Sequence, residues 1–340
     1  MQDFHTLSER GRARRLRKVV SAALENFPLE FVRLRLITNS QNGVFRLDAR
    51  DGSKYVMRVF LPQTHALEGI HLETAWLEAL QHDTDLLLPS PIPTRSGEFF
   101  CQVCAPGVPE ARYCVLFSWV PGRTLDESLN LENMQRFGAL AARLHQHAVT
   151  FQPPAELKIR YRYDRVFPFD EPVLLFEPEY AHLLPPLRLE IFRHAFDRVQ
   201  QAIERLKASG EPLRLLHGDL HRWNVKVFRS RLGVLDFEDM MLGWPVQDIG
   251  TTLLYFYGDE DYPANRAAFQ KGYRTIASWP EAAEGEVDTF IAGRNLVLAN
   301  TVLQESIPEW KEMAPRYFAR VERRLRALLL QEGEFNSADW

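Results

Sequence analysis

Apolar residues Ala13, Leu16, Val20, Ala23, Leu24 and Phe27 recur at helical spacing behind Ser8, a side chain able to cap a first turn. The other face carries Arg10, Arg12, Arg14, Arg15, Arg17 and Lys18, and so regular a stripe makes this a docked helix with a solvated basic face rather than an RNA contact. From Phe31 to Phe60 short β-rich runs take over, separated by the turn signals NSQNG and ARDGS, which predicts a strand meander. Helical spacing returns from Leu67 to Leu80, with Ile70, Ala75, Trp76, Leu77 and Leu80 toward a core and Glu73 and Glu78 on the polar side. Strands resume through EFFCQVC and RYCVLFSWV.

Pro121 and Gly122 interrupt this pattern, and helices dominate beyond them, first Leu131 to His147 and then Leu187 to Ser209. The boundary therefore falls between 1–120 and 121–340. Between the two helices, RYRYDRVFPFDEPVLLFEPEY is too irregular to assign and long enough to be a functional insertion. After Gly210 come short strands around the stretch LRLLHGDLHRWN, then helices to the end.

A chain of 340 residues favours two lobes over one enlarged core, and two lobes invite a cleft. The 41 basic and 45 acidic residues leave a net charge of -4, which argues against a nucleic acid or an anionic membrane as partner. Without a signal-peptide core or a spanning apolar run, the expectation is a soluble, cytoplasmic protein. Cys101 and Cys104 form a lone CxxC with Cys114 nearby, and without a second pair or a close His they read as reduced thiols packed in strands.

The chemistry concentrates in HGDLHRWN, residues 217–224, where crowded polar side chains must bond one another or a ligand. An Asp after a short apolar strand with an Asn five residues on suits phosphoryl transfer. A carboxylate orients the attacking hydroxyl, and further oxygens hold the metal of a bound nucleotide. A second carboxylate should follow on a neighbouring strand, and GVLDFEDM supplies Asp236, with Glu238 and Asp239 close behind. Mg2+ prefers a few carboxylate or carbonyl oxygens together with phosphate and water, so Asn224 and Asp236 with ATP make a candidate site.

In order, HGDLHRWN, VLDFED and PVQDIG resemble the aminoglycoside phosphotransferase and choline kinase family, and the similarity runs from about Ile37 to the helices near Asn300. The resemblance implies an α+β, bilobal protein-kinase-like fold, with an antiparallel-sheet N-lobe that binds nucleotide and a mainly helical C-lobe. It implies Asp219 as catalytic base, Asn224 and Asp236 as metal ligands, and His217 as the residue that orients the loop. His221 falls where many protein kinases have Lys, near the transferred phosphate or in a supporting position. Asp248 resembles the residue that braces the catalytic loop, and an Asp at a helix start also reads as an N-cap.

Two stretches depart from the kinase pattern. The phosphate-covering loop has shrunk to SQNGVF, where Asn42 and Gly43 offer turn conformations and backbone N–H groups. YVMRVF carries Arg58 where the family places a phosphate-binding Lys, and Glu73 resembles its helix partner. VLFSWVPG resembles the linker whose backbone holds adenine, which nominates Ser118 and Val120.

The implied enzyme moves the γ-phosphoryl of ATP, with Mg2+, to a hydroxyl of an aminoglycoside, an amino alcohol or a sugar-like molecule. The alternatives are a protein Ser/Thr kinase of the stress-response type and a nucleotide-binding pseudokinase scaffold. For the acceptor, Asp170, Glu171, Glu177, Asp259, Glu260 and Asp261 form a candidate acidic wall or a set of solvated loop residues. Tyr161, Tyr163, Trp244 and Tyr255 are candidate stacking residues or core. The sequence leaves the oligomeric state open.

Overall fold

The computed structural model describes residues 4, 6–39, 42–61, 67–304 and 308–330. They group into two compact units. The first runs to Pro121 and takes in Phe151–Lys158 and Gly233–Glu238, and the second holds Gly122–Thr150, Ile159–Leu232 and the chain from Asp239 on. The chain thus returns twice to the first unit after Pro121, an arrangement that a single cut does not describe.

In the first unit, strands β1 (Phe31–Thr38), β2 (Gly43–Ala49), β3 (Lys54–Val59), β4 (Phe100–Val103) and β5 (Arg112–Ser118) form one antiparallel sheet in the order β1-β2-β3-β5-β4. Alternation fixes its faces: Phe45, Leu47, Met57 and Val59 point into a core completed by Val19, Val20 and Ala23 of helix α1 (Glu9–Leu24). Ser8 caps α1, its Oγ accepting from the Gly11 amide at 3.3 Å. Gly43 lies under this helix, where a Cβ would stand 3.0 Å from Leu16 Cδ1.

Helix α2 (Leu67–Asp83) buries Ile70, Trp76, Leu77 and Leu80 as its spacing predicts, but it also buries Glu73. The polar face expected for Glu73 is therefore corrected. An ion pair with the neighbouring strand draws that carboxylate inward, while Glu78 stays exposed.

Helices make up most of the second unit: α3 (Leu131–Thr150), α4 (Pro186–Ser209), α5 (Pro245–Leu254), α6 (Tyr262–Tyr273), α7 (Glu286–Gln304) and α8 (Pro308–Leu325). α3 packs on α6, α5 and α4 on α7, and α7 on α8. The α3–α6 contact is close enough to exclude side chains. A Cβ at Gly138 would fall 1.8 Å from the Phe269 carbonyl oxygen, and one at Gly272 would fall 1.7 Å from that of Gln135. Short strands frame the HGD stretch, with β7 (Tyr161–Arg162), β11 (Met241–Gly243) and β8 (Arg214–Leu216) forming one sheet in that order. β6 (Arg123–Thr124) pairs with β9 (Val225–Phe228), and β10 (Arg231–Val234) carries the chain toward Asp236. The irregular segment between α3 and α4 contains β7 and a 3-10 turn at Pro178–Leu183. Among the described residues no helix is long and apolar enough to cross a membrane.

Candidate active site

Buried Leu215 and Leu216 anchor the end of β8, and the chain then turns sharply at Gly218. Its φ of 82° lies in the left-handed region, and a Cβ there would meet the Asp239 carbonyl oxygen at 2.1 Å, so conformation and space both require glycine. The loop is tied to the helices behind it. The Gly218 amide donates to Asp248 Oδ1 at 3.0 Å, and Thr252 Oγ1 donates to the Leu220 carbonyl at 2.7 Å.

Asp248 Oδ2 meets His145 Nε2 at 3.0 Å, and His145 Nδ1 meets the Tyr273 hydroxyl at 2.9 Å, which makes a buried chain from α6 through α3 to the loop. Burial pushes the Asp248 carboxyl up, but the His145 bond and the neighbouring His145 and His217 hold it below the usual carboxylate range. The N-cap reading of Asp248 is corrected. Trp244 takes that position, and Asp248 lies four residues beyond it, inside α5. His217 is fully buried, and its Nδ1 accepts from the Asp219 amide at 3.3 Å.

Asp219 stands among donors. Arg294 Nη2 reaches its Oδ1 at 2.7 Å, with the Tyr255 hydroxyl at 3.5 Å from the same oxygen. On the other oxygen, His221 Nε2 lies at 3.3 Å and Asn224 Nδ2 at 3.4 Å. His221 Nδ1 accepts from the Asn224 amide at 3.2 Å, which puts the ring proton of the neutral tautomer on Nε2, facing Asp219. Burial raises the Asp219 carboxyl, but the His221 bond and the Arg294 charge outweigh it and hold the group well below its ordinary range. Asn224 Nδ2 also donates to the Asp219 carbonyl at 3.0 Å, so its Oδ1 remains an acceptor oxygen of the kind a hard cation takes.

In the first unit the polarity is reversed. Arg58 Nη1 lies 3.0 and 2.9 Å from the two oxygens of Glu73, Nη2 lies 3.0 Å from Asp236 Oδ1, and Glu238 Oε2 is 3.5 Å from Nη1. The guanidinium carbon sits 5.6 Å from the Phe60 ring centroid and 5.3 Å from that of Phe117, a flat slot suited to Arg. Burial opposes the Arg58 charge, and Glu73, Asp236 and Glu238 more than restore it, raising the group above its ordinary value. Burial likewise raises the Glu73 carboxyl against the pull of Arg58. Asp236 adopts a φ of 65°, left-handed backbone that Asp tolerates better than most residues.

The remaining nominated residues have other work. Asn42 is buried; its Nδ2 donates to Glu238 Oε2 at 2.7 Å and its Oδ1 accepts from the Leu61 amide at 3.2 Å. Gly43 pairs with Val59 as the first residue of β2, and its φ is not positive, while Ser40 and Gln41 lie outside the described residues. The Ser118 amide donates to the Ser90 carbonyl at 2.8 Å and its Oγ accepts from the Ser90 amide at 2.8 Å. Val120 is buried beside Gly233.

The acidic wall is largely neutralised or dispersed. Asp170 pairs with Arg160 at 2.5 Å and Arg165 at 3.2 Å, Asp259 pairs with Arg222, and Glu171, Glu177, Glu260 and Asp261 are exposed. Of the candidate stacking residues, Tyr163 and Trp244 are core, whereas Tyr255 flanks Asp219. Cys101 and Cys114 are buried free thiols and Cys104 is an exposed one. Among the described residues no three His, Cys, Asp or Glu side chains group as a metal cage.

Sequence reasoning missed Arg294, His145 and Trp223. A lone Arg in the apolar run FIAGRNLVLAN was the available signal for the first. Trp223 is 47% exposed, with its ring centroid 5.7 Å from that of Tyr255, and so opens an aromatic surface next to Asp219.

Residues 34–284 match the model of the phosphotransferase enzyme family. The amicoumacin kinase of Bacillus subtilis (strain 168) is 21% identical over 276 residues, covering 80% of this chain and 77% of its own. Among solved structures, the microcompartment-associated aminopropanol kinase is similar with a TM-score of 0.76 at 24% identity, covering 93% of this chain and 98% of that one. An amicoumacin kinase in complex with AMP-PNP, Ca2+ and Ami is similar with a TM-score of 0.71 at 18% identity, covering 93% and 96%. These likenesses show the α+β, protein-kinase-like fold.

Proposed function

Because this chain belongs to the phosphotransferase enzyme family, we propose that it moves the γ-phosphoryl group of ATP, with Mg2+, to a hydroxyl of a small molecule. The observation that carries this reading is Asp219, an ionised carboxylate at the end of a loop braced by Asp248 and flanked by an exposed aromatic surface. In this role Asp219 accepts a hydrogen bond from the acceptor hydroxyl, orients it for in-line attack and receives its proton. His221 and Arg294 hold the carboxylate in place, and His217 and Asp248 hold the loop.

The nucleotide roles belong to residues 1–120 together with Asp236, and the acceptor roles to residues 121–340. Around Arg58, the carboxylates of Glu73, Asp236 and Glu238 outnumber the single guanidinium, a surplus of negative charge that a divalent cation fits. Asp236 of the first unit and Asn224 of the second would each offer an oxygen to Mg2+, and the ion would supply charge neutralisation for the phosphates. Arg58 takes the phosphate-binding position, and the Phe60–Phe117 slot accounts for Arg where the family has Lys. The kinase names among the relatives support ATP as donor, and the AMP-PNP complex supports a nucleotide site of this type.

The test is transfer of labelled γ-phosphate from Mg-ATP across amino alcohols, sugars, aminoglycosides and a generic protein, with wild type and Asp219→Ala side by side. Label on a small molecule with wild type alone is the expected result. Label on protein Ser or Thr would favour the stress-response type, and nucleotide binding without any transfer would favour the scaffold.

A further inference from the structure

Arg222 lies inside the HGDLHRWN loop, between His221 and Trp223, with its side chain 12% exposed. Its Nη1 donates to Asp126 Oδ1 at 3.2 Å and its Nη2 to Asp259 Oδ2, so one guanidinium spans the 3-10 turn at Asp126–Ser128 and the connection from α5 to α6. The same guanidinium lies over Phe256, 4.2 Å from the ring centroid, and Phe256 is fully buried beside Phe137 of α3. The backbone repeats the link. The Asp126 amide donates to the Arg222 carbonyl at 3.3 Å, and the Leu125 amide donates to the Val225 carbonyl at 2.8 Å. Arg222 is thus pinned through its side chain and its main chain at once.

This is a poor way to gain stability. A guanidinium is taken largely out of water to meet two carboxylates about a third exposed, and its buried Nε has no hydrogen-bond partner among the described residues. For stability alone, apolar side chains of similar volume often serve as well. What a planar fork between two carboxylates supplies is position, and two residues further on stands Asn224. Asn224 closes the loop through Nδ2, 3.0 Å from the Asp219 carbonyl, which leaves Oδ1 as its acceptor oxygen. The direction of that oxygen follows the backbone from 222 to 225, whose course Leu125, Asp126 and Asp259 fix. Asp219 is tied separately, at the other end of the loop, through Gly218 with Asp248 and through Arg294.

We infer that Arg222 is the positioning residue for the metal-binding end of this loop: held between Asp126 and Asp259, it sets the register of Asn224 and, through it, the Mg2+ affinity of the nucleotide complex. This rests on the phosphotransferase reading above. Arg222 acts through Asn224, as a support behind a metal ligand does.

The test compares the full wild-type chain with R222Q, R222K and D126N. Hydrogen exchange of the unliganded chain reads the loop itself, Mg2+ titration of AMP-PNP binding by calorimetry reads the metal, and labelled transfer from Mg-ATP reads the phosphotransferase activity. R222Q is expected to speed exchange in residues 222–226 while α5 stays protected. It is also expected to raise the Mg2+ concentration for half-maximal AMP-PNP binding by about 10- to 100-fold, the usual cost of losing such a support. R222K keeps the charge without the fork and is expected to fall between R222Q and wild type. D126N removes one of the two ion pairs at a side chain 37% exposed, so it carries the test if R222Q does not fold, and both readings should move the same way by less. A lowered unfolding midpoint with exchange at 222–226 and the Mg2+ requirement both unmoved would overturn the inference, as would wild-type AMP-PNP binding that needs no Mg2+. A raised Mg2+ requirement in the variants, with no transfer to any acceptor by wild type, would overturn the phosphotransferase reading and leave the positioning role standing. Transfer by wild type with the Mg2+ requirement of R222Q unchanged would do the reverse.

Discussion

Arg58 and Asp219 are each the charge around which their own unit organises its polar groups, and they do so with opposite signs. Arg58 is one cation among carboxylates, beside two aromatic rings, whereas Asp219 is one carboxylate among a guanidinium, an imidazole and a phenol. The difference teaches how each charge is held. Carboxylates in excess hold a guanidinium charged despite its burial, and a carboxylate already matched by donors keeps its proton affinity low and its orientation fixed.

The strongest way to break the comparison is to remove the central charge of the second unit. Asp219→Ala is expected to lower kcat by about 10² to 10⁴ while nucleotide binding persists, read by turnover and by nucleotide titration in parallel. Removing the central charge of the first unit acts on stability as well as on the proposed phosphate contact. Arg58→Ala leaves Glu73 buried without its partner and is expected to cost about 3 to 5 kcal/mol in denaturant unfolding, and a loss under about 1 kcal/mol would contradict the buried pair. Arg58→Lys should recover part of that loss, since it restores charge without the bidentate fork.

A smaller effect comes from the brace. Asp248→Ala strips the Gly218 amide and His145 of their shared acceptor and is expected to cost about 1 to 3 kcal/mol, together with a fall in kcat at unchanged protein–nucleotide affinity. The subtlest effect is on acidity. Arg294→Gln removes a charge that depresses the Asp219 carboxyl, so the acid limb of the kcat/KM profile should move to higher pH. A limb that stays in place or moves down would show that Arg294 does not govern the base.

Linkage gives the sign for the whole protein. Asp219 and Asp248 both bind protons less readily folded than unfolded, so they add stability above the unfolded carboxylate range. That contribution fades as pH falls through the folded values. Urea midpoints that fall as the pH drops below about 4 would follow from this, and Asp248→Asn should flatten the trend.

How much of this was legible beforehand depended on distance along the chain. His217, Asp219, His221 and Asn224 share one loop, so their types and spacing carried the chemistry, and the strand meander followed from period and turn signals. Arg294 meets Asp219 across 75 residues and His145 meets Asp248 across 103, pairings that no local pattern encodes. Periodicity alone put Glu73 on the polar face, because a helical wheel ranks a carboxylate as solvent-facing, whereas the family resemblance paired it with Arg58, 15 residues earlier on a strand. Asp248 near a helix start resembled a cap until Trp244 proved to occupy that position. In the candidate acidic wall, Asp259 meets Arg222 across 37 residues, whereas Asp170 meets Arg160 and Arg165 within one irregular segment.

Gly218 bears on how finely this site can be tuned. The backbone there passes so near the Asp239 carbonyl that a Cβ would stand 2.1 Å from its oxygen, which makes the bare α-carbon a spacer of fixed thickness between two loops. A single methyl group would have to spread them by about an ångström, a displacement on the scale that can cost about a hundredfold in a positioned reaction. Variation around Asp219 therefore has room at the exposed Trp223 but none at Gly218, where the tolerance is smaller than an atom.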